Sequence, residues 1–68
     1  MPVDLWAATE MVWSRLPFAD KRERMATISN RMRKNRRYAK LSSEMRERLV
    51  LAGAKVALME ELKRHASA

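Results

Sequence analysis

The sequence predicts an all-α protein: a compact three-helix domain with a long C-terminal helix, expected to dimerise. Three observations lead there. Of the 68 residues only one is glycine, two are proline and none is cysteine. Ala, Leu, Met, Glu, Lys and Arg, which lose little on entering a helix, make up most of the chain. No segment sustains the apolar–polar alternation of a half-buried strand.

The first helix is expected over about 4–16. Asp4 is a good N-cap, because its carboxylate can accept from the free amides of the first turn. Leu5, Trp6, Thr9, Val12, Trp13 and Leu16 fall on one face roughly 120° wide at about 100° per residue. Pro17, which lacks an N–H and crowds the preceding turn, stops the helix. Trp6 and Trp13 lie two turns apart on that face. They read as core residues before base-stacking platforms, because Leu5, Val12 and Leu16 share their side.

The second helix is expected over about 20–38. Asp20 followed by Glu23 has the spacing of a capping box, and Phe18 just upstream can pack on Arg24 or Met25. Met25, Ile28 and Met32 form a narrow apolar stripe that Ala39 extends. Asn30 and Asn35 both weaken helix, so its end can fall anywhere from Asn35 to Lys40.

The third helix is expected over about 43–64. Ser42 or Ser43 caps it, and Glu44 and Glu47 occupy its positive end. It carries two apolar stripes. One is Met45, Leu49, Ala52, Val56 and Met59. The other is Leu51, Ala54, Leu58 and Leu62. A helix apolar on two sides is buried on two sides. Either the first and second helices flank it, or one stripe meets a second copy or another protein. The second stripe, Leu51, Ala54, Leu58 and Leu62, is the one expected at that interface. A short chain with no disulfide or metal staple has association left as a source of stability.

Charge carries the functional signal. From Lys21 to Lys40 there are nine basic residues and one acid, so this block holds +8; the rest, with six basic and seven acidic residues, holds −1 of the total +7. A localised positive block of this kind is the footprint of a polyanion binder. Arg31, Arg33, Lys34, Arg36, Arg37 and Lys40 fall within ten residues without an acid. Guanidinium groups suit bidentate contact with phosphate. With Arg22 and Tyr38 they are the expected nucleic-acid-binding residues. Read as a helix-turn-helix, the stretch 21–64 would put Glu44 and Glu47 against phosphates, and its turn lacks the common glycine. The arginine stretch is therefore expected to carry the contact, mostly to the backbone.

Other functions find little support. The single histidine, His65, sits near the C-terminal end without a nucleophile or acid placed to work with it, so no catalysis is expected. Without cysteine and with one histidine, no metal cluster can be assembled, and no cofactor is expected. There is no glycine-rich phosphate loop. The longest apolar run, Leu49 to Ala54, is far short of the ~20 residues of a membrane span. The N-terminus carries Asp4 and no early Lys or Arg, so no export signal is expected and the default compartment is the cytoplasm. The expectation is a small accessory or regulatory protein that binds nucleic acid, DNA before RNA. The alternative is a protein-interaction module that docks a stripe of the third helix and turns its basic block to an acidic surface.

Overall fold

The computed structural model describes residues 4–67, and these form helices without strands. Four helices are present: α1 (Leu5–Arg15), α2 (Phe18–Met32), α3 (Arg36–Ala39) and α4 (Ser43–Ser67). The chain therefore departs from the expected three. The second helix does not run to residue 38. It ends at Met32, and Arg36–Ala39 forms a separate short turn of helix.

Local chemistry accounts for the ends. Asp4 caps α1, its Oδ1 accepting the Ala7 N–H at 3.1 Å. Leu16 is extended at φ −65°, ψ 141°, the conformation that a following proline favours. Pro17 then serves as N-cap of α2, so that helix opens two residues before Asp20. Asp20 still sits in the first turn, where a carboxylate suits the positive end of the dipole. Phe18 is 78% exposed and does not fold back onto the helix as expected. Ser42 accepts the Met45 N–H through its hydroxyl at 3.3 Å and so caps α4.

The 25 residues of α4 make it the axis of the molecule, about 37 Å long at 1.5 Å per residue, within an overall length of 42 Å. α1 and α2 both pack on it. Of the two arrangements open from sequence, the flanked central helix is the one formed. Val50, Ala54 and Leu58 join Trp13 of α1 and Ile28 of α2 in the core, with Leu51 and Leu62 packed against it. The stripe expected at an interface is thus the inner one: Ala54 is 1% and Leu58 3% exposed within the chain itself. The other stripe faces out, with Met45, Leu49 and Val56 all exposed. Having a flanking helix on each side decides the matter. α2 lies against Gly53 and lines clefts with Val50 and Ala57, and α1 reaches Lys55 through Glu10, while Met45, Leu49 and Val56 stay exposed.

Thr9 is a fully buried polar side chain, and its hydroxyl donates to the Leu5 carbonyl at 2.7 Å. That bond allows a polar group at the α1–α4 contact without a desolvation penalty. Trp13 is in the core as read, but Trp6 lies at its edge, 44% exposed. Two ion pairs clamp the flanking helices to α4: Lys55 with Glu10 at 3.0 Å and Arg24 with Glu61 at 3.0 Å. The Arg24 hydrogen bond holds the Glu61 carboxyl below its ordinary range, helped by the positive charges of Arg24, Arg64 and His65 and opposed by burial. Both pairs are partly open to water, so they set register more than stability.

Gly53 lets α2 approach α4. A Cβ there would stand 2.8 Å from Ile28 Cγ2, a branched methyl with little room to retreat. Helix propensity alone would make Gly53→Ala stabilising by roughly 0.5–1 kcal/mol, but overpacking costs about 1–3 kcal/mol. Gly53→Ala is expected to lower the thermal midpoint. A raised midpoint in calorimetry would show that the helices part freely here.

Candidate nucleic-acid interface

The basic block is built around the break between α2 and α3. The Arg33 N–H closes the last turn of α2 on the Ser29 carbonyl, and the Asn35 N–H reaches the Met32 carbonyl at 2.9 Å. Asn35 itself is extended, at φ −95°, ψ 118°. Its side chain accepts the Arg37 N–H at 2.9 Å and so caps α3. An asparagine spent on capping is a structural residue, and its helix-breaking character is the reason the chain turns here. α3 closes with the Lys40 N–H on the Arg37 carbonyl and the Leu41 N–H on that of Tyr38. Leu41, half-buried, then leads into the Ser42 cap.

This geometry distributes the expected residues unevenly. Arg33 and Lys34 occupy the bend, Arg36 and Arg37 sit on α3, and Lys40 follows it. All five are exposed, and among the described residues none of them is in an ion pair or a side-chain hydrogen bond. They form one compact positive knuckle at the end of the molecule where α4 begins. Arg31 and Arg22 are exposed too, but on opposite flanks of α2. Arg31 lines a groove with Glu23, Glu60 and Glu61, so carboxylates lie beside it. Arg22 lines a smaller cleft with Tyr38 and Arg46. Tyr38 is half-buried and packs on the core.

The single continuous cationic face that a helix through residue 38 would make is therefore absent. The bend replaces it with a knuckle of five residues, plus Arg22 to one side. Arg46 belongs near this site and was not legible as such. In sequence it stands between Glu44 and Glu47 and reads as one of a run of mixed charges, but only its Glu44–Arg48 neighbours pair, at 2.8 Å. Among the described residues no group of His, Cys, Asp and Glu could hold a metal ion, and no helix is long and apolar enough to cross a membrane.

Compared with family models, curated proteins and solved structures, the chain matches none.

Proposed function

We propose that this protein binds nucleic acid through the phosphate backbone, with Arg33, Lys34, Arg36, Arg37 and Lys40 as the contact residues and Arg22 and Arg31 at its margins. The observation that carries the reading is that five clustered cations are exposed and unpaired, while Glu10, Glu44 and Glu61 are paired with other cations. Unpaired arginines have no intramolecular bond to give up on meeting a phosphate, and their forked donors suit its oxygens. Such contacts position the protein without reading sequence. Binding, not catalysis, is the activity proposed.

The test is affinity for a labelled DNA of about 25 nucleotides, single-stranded and paired, at low and moderate salt. With about six phosphate contacts, affinity should fall on the order of 10³-fold between 50 and 200 mM salt. Failure to bind either form at low salt, or binding indifferent to salt, would sink the proposal.

The exposed stripe of α4 supports a homodimer as part of the same reading. The accessible surface of 5720 Å² is well above the roughly 4450 Å² that size scaling assigns to a compact chain of 8.0 kDa. Part of that excess is apolar and contiguous, running from Met45 through Leu49 to Val56. Ala52 in its middle lets two α4 helices cross closely about a two-fold axis. Changing Leu49 and Val56 together to Glu is expected to convert a sedimenting dimer into a monomer of unchanged helix content. A wild-type monomer at every concentration reached would remove the dimer and assign the stripe to a different protein.

A further inference from the structure

On the Arg22 flank of α2, a cleft of about 390 Å³ lies between α2, Tyr38 of α3 and the first turns of α4. Met25 and Val50 give it an apolar floor; Val50 is 6% exposed and Met25 half-buried. Tyr38 supplies an aromatic wall, and the charged groups lining it are Arg22, Arg46 and Glu47. Among the described residues, none of these three charged side chains, nor the Tyr38 hydroxyl, has a hydrogen-bond or ion-pair partner.

We infer that this cleft receives the base of an unpaired nucleotide, while the arginine knuckle holds the phosphates of the same strand. The inference rests on the nucleic-acid reading above and names the form of nucleic acid preferred. Size is the first argument: an open cleft of this volume has room for one base laid against its wall, whereas duplex recognition needs an extended surface. Composition is the second. An aromatic ring over an apolar floor suits the two faces of a base, and the guanidinium planes of Arg22 and Arg46 can stack on it or reach its phosphate. Glu47 is the third argument. Its carboxylate repels a phosphate group, so the cleft is no anion pocket, but it can accept from the exocyclic amino group of a base. Position is the fourth: Tyr38 shares the four-residue α3 with Arg36 and Arg37, so the cleft and the knuckle lie at the same end of the molecule.

The test uses the full chain and one DNA sequence as a single strand and as a blunt duplex of equal length. The strand carries the fluorescent adenine analogue 2-aminopurine, which dims when stacked. Wild type is expected to bind the strand about tenfold more tightly than the duplex, the scale of one stacked base, and to dim the probe. Tyr38→Ala should lose both the dimming and the preference, and Tyr38→Phe should keep both. The probe needs no variant, so a poorly folded Tyr38→Ala does not cost the test. Equal affinity for strand and duplex with no dimming would overturn the cleft and leave the phosphate reading standing. Binding to neither form would overturn both.

Discussion

Arg33, Arg36 and Arg37 changed together to alanine are expected to abolish measurable nucleic-acid binding at moderate salt and to weaken it at least a hundredfold at low salt. On duplex DNA each phosphate contact contributes about 0.9 to the slope of log affinity on log salt, so losing three should flatten that slope by roughly 2.7. This slope change is the diagnostic part. Loss of affinity alone could follow from misfolding, but a flatter slope with residual binding counts the missing contacts. None of the three side chains has a partner in the fold, so their removal leaves no carboxylate stranded and should not disturb thermal stability. Surface substitutions of that kind stay within about 0.5 kcal/mol. Gel-shift or anisotropy titrations across salt, beside a melting curve, check both halves. An unchanged slope would mean that the phosphates lie elsewhere.

Arg24 marks the contrast. It belongs to the same basic block in sequence, yet its guanidinium is committed to Glu61 across the α2–α4 contact. Counting charges along a chain cannot separate a cation with an intramolecular partner from one without, because the partner, Glu61, lies 37 residues away. The concentration of charge in this block was therefore legible in the sequence, and the pairing of Arg24 within it was not.

The fold was legible where short-range chemistry decides. Asp4, Pro17 and Ser42 each act within one turn of themselves, and each does in the structure what its type implies. The bend at residues 33–35 was harder to read. Arg33, Lys34, Arg36 and Arg37 are all adequate helix formers, and only Asn35 argued against continuing. An asparagine weakens a helix interior and caps a helix start by the same side-chain bond, so its presence alone leaves both outcomes open. Cleft residues such as Arg46 were illegible for a different reason: a cleft is made by two helices meeting, and neither announces it alone.

The choice between the two stripes of α4 required three dimensions, and it can be tested by stability. Leu58→Ala is expected to be strongly destabilising. Leu58 is 3% exposed and stands in the core with Trp13 and Ile28. Truncating such a leucine removes its burial and leaves a cavity, at a cost of about 2–5 kcal/mol. At a typical ~0.05–0.15 kcal/mol per residue, a chain of this length has a total stability of the same order. Leu58→Ala should therefore be substantially unfolded near body temperature. Val56→Ala, two residues away and 45% exposed, should cost under about 1 kcal/mol in the monomer. If two copies meet through the outer stripe, the Val56→Ala penalty should grow with protein concentration, whereas the Leu58→Ala penalty keeps its monomer part at any dilution. Urea titration read by tryptophan emission suits the comparison, because Trp13 is buried beside Leu58. A lower midpoint for Val56→Ala than for Leu58→Ala would mean that the packing of α4 is inverted, with the Met45–Val56 stripe inside.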